Sequence, residues 1–135
     1  MDRLFLDANV LFSAAYKPDA RVRRLWSIKG VSLCTSRYAL EEARINLSEE
    51  VHRQRLSELV AQFSFFEASN RPLPRSITLP DTDAPILLAA INARADYLLT
   101  GDRQHFGRYY GSKIEGVTIS SPAQYLKNRE GSCQV

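Results

Sequence analysis

Two short apolar runs, Leu4-Phe5-Leu6 and Tyr97-Leu98-Leu99-Thr100, each stop at an aspartate, Asp7 directly and Asp102 one glycine later. Each adjoins a helical pattern. NVLFSAAY follows the first, with Val10, Leu11 and Ala14 on one side, and the strongly apolar APILLAAINARA precedes the second. Buried strands alternating with helices make a parallel sheet covered on both faces, so the expected fold class is α/β: three layers, α/β/α, around a central, mainly parallel sheet. Ligands of such sheets collect outside the carboxyl ends of the strands, where the winding reverses. Asp7 and Asp102 fall at that edge. Glu42 and Asp83 lie in the early turns of helices that start near it.

The remaining elements follow from caps and breakers. Asp19 is expected to cap a helix through Trp26 and Ile28 that Gly30 ends, and VSLC to form a buried strand. Ser36 should cap a helix whose apolar stripe is Ala39, Leu40, Ala43 and Leu47, leaving Glu42 off the stripe. Residues 48–61 read as a surface helix with Val51, Leu56, Leu59 and Val60 as a thin apolar face and His52 toward solvent. Phe63, Phe65 and Phe66 suggest a strand, and NRPLPRSITLPD, with three prolines, a loop. Asp81 or Thr82 is expected to cap the apolar helix, VTI to form a last strand, and Ser121-Pro122-Ala123-Gln124 to open a helix as a capping box. One domain over residues 1–128 results, with 129–135 as a loose tail.

No stretch approaches the roughly 20 apolar residues of a membrane span. MDRLFLDANV lacks the basic and apolar regions of a signal peptide, so a cytoplasmic location is expected. Cys34 and Cys133 match no disulfide or zinc framework and are expected to be free thiols. The chain has 18 basic and 15 acidic side chains; setting the four acids aside leaves 18 against 11, a net +7 that favours a polyanionic partner.

Carboxylates brought together repel one another and are expensive to bury unless a divalent cation neutralises them. Mg2+ and Mn2+ take oxygen ligands, and a few carboxylates suffice because Mg2+ keeps several waters. Beside a phosphodiester such ions activate water and neutralise charge on the attacking and leaving oxygens. Asp7, Glu42, Asp83 and Asp102 are therefore the candidate metal ligands and catalytic residues.

The segments DANVL at 7–11, SRYALEEARINL at 36–47 and DTDAPILLAAINARADYLLTGDRQHF at 81–106 resemble the PIN-domain family, including its VapC-like toxin ribonucleases. That resemblance covers nearly the whole chain. It implies a Mg2+- or Mn2+-dependent endoribonuclease with one or two ions, commonly the toxin of a type II toxin-antitoxin pair, with RNA as substrate, a small antitoxin as partner and a homodimer as assembly. Residue by residue it implies Asp7, Glu42, Asp83 and Asp102 as the four acidic positions, with Asn9 and Thr100 as polar residues that steady them. Glu42 is preferred to Glu41 because an apolar residue follows it, as the family pattern would have, while Glu41 points about 100° away on a helix. Asp81 is a supporting candidate, as helix cap or as a holder of outer water. After TGDR the family often carries a further acid, where this chain has Gln104 and His105. His105 is left out of catalysis.

Arg37 and Arg103 are candidate substrate-binding residues near the strand ends, with Arg108 beside them and Arg21, Arg23 and Arg24 as a second phosphate track. Tyr109 and Tyr110 either stack on bases or close the core. Two alternatives have their own chemistry. A haloacid-type phosphatase needs an acid/base two residues after its nucleophile, where this chain has Asn9. A non-catalytic PIN-like module would bind RNA or protein without cutting. A dinucleotide site fails for want of a glycine-rich turn.

Overall fold

The computed structural model describes the backbone of residues 1–132 and the side chains through Glu130. Cys133 and the last part of the expected tail lie outside the described residues. Six strands form one sheet in the order β3-β2-β1-β4-β6-β5. They are β1 (Asp2–Leu6), β2 (Val31–Thr35), β3 (Ser64–Phe65), β4 (Tyr97–Leu99), β5 (Lys113–Ile114) and β6 (Val117–Ser120). All pairings are parallel except the β5–β6 hairpin. Its two-residue turn uses Glu115 at φ 47° and Gly116 at φ 91°, the double left-handed conformation that matches strand twist. A two-residue strand carries too little pattern to be read in advance, and β5 was not expected.

The central strands are buried on both faces, as the Leu4, Phe5 and Leu6 run and the Leu98–Leu99 pair require. Flanking the sheet are α1 (Ala8–Tyr16), α2 (Arg37–Asn46), α3 (Glu50–Leu59), α4 (Ala84–Asn92), α5 (Arg103–Phe106) and α6 (Pro122–Ser132). Along α4, Ile86 through Ala90 are all buried, which makes it the central helix of the expected kind. Connections leave β1 toward β2 on one side and reach β4 on the other, so the winding reverses between β1 and β4. Asp7 N–H donates to Leu99 O at 3.1 Å across that junction.

Several local expectations are corrected. Residues Arg21–Ser27 form a 3-10 helix with Ala20, not Asp19, at its start and no side-chain cap. On α3 Leu56 and Val60 are buried as expected, but Val51 is 57% exposed and His52, expected toward solvent, packs its ring 5.0 Å from that of Tyr16. Neither Asp81 nor Thr82 caps α4; Asp83 holds that position. Helix α6 runs through Ser132, with Arg129 over the Tyr125 ring and 3.8 Å from Asp2. Ser121 does cap α6, accepting from Gln124 N–H at 3.1 Å, while the Gln124 amide donates forward to Asn128. Cys34 is a buried free thiol, pushed up to about 12 by desolvation and so inert as a nucleophile. Among the described residues no helix is long and apolar enough to cross a membrane.

Candidate active site

Asp7 is placed by the end of β1 and the start of α1. Its backbone begins the helix, and its Oδ1 accepts from Ala8 N–H at 2.6 Å. The other oxygen, Oδ2, accepts from Thr100 Oγ1 at 2.8 Å and from Asn9 Nδ2 at 3.3 Å. Asn9 in turn reaches Thr100 Oγ1 at 3.3 Å and accepts from Gly101 N–H at 2.8 Å. A Cβ at Gly101 would stand 3.4 Å from Asn9 Oδ1, a close contact beside that hydrogen bond. Thr100 Oγ1 also accepts from Asp102 N–H at 3.1 Å. One polar web therefore locks the ends of β1 and β4 together with Asp7 at its centre.

Glu42 arrives from α2, whose start is fixed by Ser36 Oγ accepting from Ala39 N–H at 3.1 Å. Glu41 turns away and forms a surface pair with Arg44, whose Nε lies 2.9 Å from Glu41 Oε2. Asp83 occupies the cap position of α4, yet its carboxylate makes no capping bond. An acid with only a helix-starting role would use it. Asp102 opens α5 by accepting from His105 N–H at 3.1 Å through Oδ1.

The four acids surround one cavity of about 450 Å3, whose other lining residues are Ala8, Asn9, Phe12, Ala43 and Asn46. No lysine or arginine lines it. The cost is visible in proton affinity. Burial pushes Asp7 up to about 6, against the lowering effect of its Thr100 and Ala8 hydrogen bonds, with Asp83 and Glu42 adding repulsion. Desolvation, then the charge of Asp83, raises Glu42. Desolvation also raises Asp83, opposed by His105 and reinforced by Asp102.

His105, left out by the sequence reading, stands among these acids. Its Nδ1 is 2.8 Å from Asp83 Oδ2 and 2.9 Å from Asp102 Oδ2. One N–H cannot serve both. The hydrogen-bond geometry goes to Asp102, which leaves Asp83 Oδ2 shielded from solvent with no hydrogen bond among the described residues. Asp83, Asp102 and His105 offer donor atoms all within 4.8 Å of one another. The signal for His105 was present as a D-x-x-H spacing at a helix start, which turns the fourth residue back toward the first.

The sequence matches the PIN-domain family over residues 3–104. The chain belongs to the PIN-domain family. No curated protein sequence matches it. Among solved structures, a chain in the crystal structure of VapBC2 from Rickettsia felis bound to a DNA fragment from their promoter is similar, with a TM-score of 0.66 at 18% identity. The match covers 88% of this chain and 98% of that one, and it supports the PIN fold assigned here.

The other sequence candidates separate on this PIN scaffold. Arg103 lines a second cavity of about 580 Å3 that shares Asn9 and Asp102 with the acidic one. Arg37 lines neither cavity and lies over the Phe65 ring at 5.4 Å. Asp81 is exposed and lines neither. Arg24 pairs with Glu130 at 2.9 Å, Arg23 donates to Ala14 O at 2.9 Å, and Arg21 lines a separate cavity beside α6. Arg108 sits over Tyr109. Tyr109 is buried and bonds Thr78 through its hydroxyl, and Tyr110 donates to Thr100 O at 2.7 Å, so both close the core.

Proposed function

We propose that this chain is a metal-dependent endoribonuclease, the toxin of a type II toxin-antitoxin system acting in the cytoplasm, with Asp7, Glu42, Asp83 and Asp102 as the groups that hold Mg2+ or Mn2+. The observation that carries the reading is the cavity itself: four carboxylates, no lysine or arginine in the lining, and a shielded Asp83 oxygen that must share His105 Nδ1 with Asp102. Unpaired buried acids are destabilising, and oxygen donors in this number fit a hard divalent cation. Such a cation, when bound, supplies charge neutralisation and an activated water for hydrolysis of a phosphodiester.

The protein's own residues do the rest. Thr100 and Asn9 hold Asp7 so that it need not reorganise when a cation or phosphate arrives. Arg103, in the adjoining cavity, is the cation placed to take a flanking phosphate of RNA. Membership in the PIN family and likeness to a chain of VapBC2 support a small antitoxin as partner, with a homodimer as the assembly expected of the family. A haloacid-type phosphatase is disfavoured because Asn9, at the position of the needed acid, already spends its amide on Asp7, Thr100 and Gly101. The second reading, a PIN module that binds without cutting, has no observation of its own.

The test is cleavage of single-stranded RNA by purified protein with Mg2+ or Mn2+, against chelator and against Asp7→Asn. Cleavage is expected only in wild type with metal. Equal cleavage by the variant overturns the assignment, and phosphomonoester turnover with RNA intact favours the phosphatase.

A further inference from the structure

We propose that His105 completes the cation site as a nitrogen ligand, so that the centre selects a transition-metal dication over Mg2+. The inference rests on the preceding reading that these acids hold a divalent cation. It adds a ligand of a different element and, with it, a selectivity.

His105 Nδ1 stands 2.8 Å and 2.9 Å from one oxygen each of Asp83 and Asp102. Neighbouring donors around an octahedral cation with bonds of about 2.1 Å are roughly 3 Å apart, so the nitrogen stands at ligand spacing from each oxygen, and all three donor atoms lie within 4.8 Å of one another. A hydrogen-bond account explains only half of this arrangement. A single Nδ1–H must be divided between the two carboxylates; assigned to Asp102 at 2.9 Å, it leaves Asp83 Oδ2, shielded and 2.8 Å away, without a full hydrogen bond of its own. Leaving such a group unpaired costs about 1 to 3 kcal/mol, more if charged, which a shared cation removes. The backbone adds an independent constraint: His105 N–H bonds Asp102 Oδ1 at 3.1 Å, holding the main chain that carries the ring beside that acid. The imidazole is also reachable, since 36% of the side chain is exposed.

The donor set decides the metal. Mg2+ takes oxygen almost exclusively, whereas an imidazole nitrogen adds affinity for first-row transition dications.

Mn2+ is the probe, because its electron spin reports a directly bound nitrogen. Pulsed electron paramagnetic resonance of the Mn2+-loaded protein is expected to show a coupled 14N that is absent in His105→Ala and kept in His52→Ala. Titration should show Mn2+ binding to His105→Ala weakened roughly tenfold or more. Mg2+ affinity, read by competition, should change by less than about threefold. Circular dichroism of each variant verifies the fold. Bound Mn2+ without nitrogen coupling in wild type, or equal Mn2+ affinity in wild type and His105→Ala, overturns the inference and leaves the acidic centre standing. No Mn2+ or Mg2+ binding to wild type overturns the reading beneath it.

Discussion

Strands β1 and β4 carry an aspartate near each end, and the two ends treat their acids in opposite ways. At the amino edge Asp2 Oδ2 accepts from the Tyr125 hydroxyl at 2.8 Å and lies 3.8 Å from Arg129, and Asp96 Oδ2 accepts from Arg3 N–H at 2.7 Å. At the carboxyl edge Asp7 and Asp102 are joined by Glu42 and Asp83, with no lysine or arginine lining the cavity and three of the four carboxyls raised above their ordinary range. The aspartates of the carboxyl edge have hydrogen-bond donors, from Thr100, Asn9 and Ala8 on Asp7 and from His105 on Asp102, but no lysine or arginine to offset the gathered charge, and it is this charge that is left in deficit. A folded chain tolerates that deficit where something outside the chain makes it good.

The sharpest way to break this contrast is to neutralise acids at both edges and compare. Asp83→Asn and Asp102→Asn should each lower metal-dependent RNA cleavage by about a hundredfold or more, the scale of losing a group that steadies transition-state charge. Asp96→Asn should leave the rate within about twofold, since its partner is a backbone N–H at the far edge of the sheet. Initial rates on one labelled RNA settle the order. Similar losses at both edges would mean that folding, not chemistry, is being measured.

Metal removal tests the deficit directly. A cation at a hundred times its dissociation constant should stabilise the fold by about 2.7 kcal/mol, seen as a rise in melting temperature on adding Mn2+ and its reversal by chelator. Asp83→Asn should lose most of that rise, while Asp2→Asn should keep it.

How far the contrast could be read from the chain depends on distance along it. Asp7 and Asp102 were legible because each ends an apolar run, and Glu42 because helical phase separates it from Glu41. Asn9 and Thr100 came only with the family resemblance, and their hydrogen bonds to Asp7 give that assignment a physical basis. His105 was passed over because a four-residue helix shows no periodicity, although its offset from Asp102 was readable as a cap pattern. Asp19, Asp81 and Thr82 were misjudged for a common reason: a capping residue is recognisable by type, but which of several adjacent candidates caps is set by where the chain enters the helix. On α3 only the first turn departs from the expected face, since His52 finds the Tyr16 ring and Val51 is left outside while Leu56 and Val60 stay buried.

The pH dependence of stability sharpens the carboxyl edge further. Folding raises Asp7 from 3.8 to about 6, so the folded state holds its proton longer than the unfolded chain does. Below about pH 4 both states are protonated and Asp7 costs nothing; as pH climbs toward 6 the cost grows, to about 2 to 3 kcal/mol, and stays constant above. Glu42 and Asp83 are raised as well and act in the same direction. In chelator, stability from denaturant unfolding should therefore fall between pH 4 and 6, and Asp7→Asn should flatten that fall. A wild-type profile that rises through this window would show that the carboxyl-edge acids are matched after all.

The smallest effect belongs to the amino edge. Asp2→Asn keeps an acceptor for the Tyr125 hydroxyl but removes the charge facing Arg129 at 3.8 Å, with side chains 31% and 40% exposed. An exposed pair at that distance is worth about 0 to 1 kcal/mol. The variant should therefore unfold within about 1 kcal/mol of wild type. Added salt should narrow even that difference by screening the pair. Denaturant melts of both proteins at low and high salt make the comparison. A loss well beyond this range would mean that Asp2 also anchors the last turns of α6 to β1, and that the two edges differ in the kind of work their acids do rather than in whether they do any.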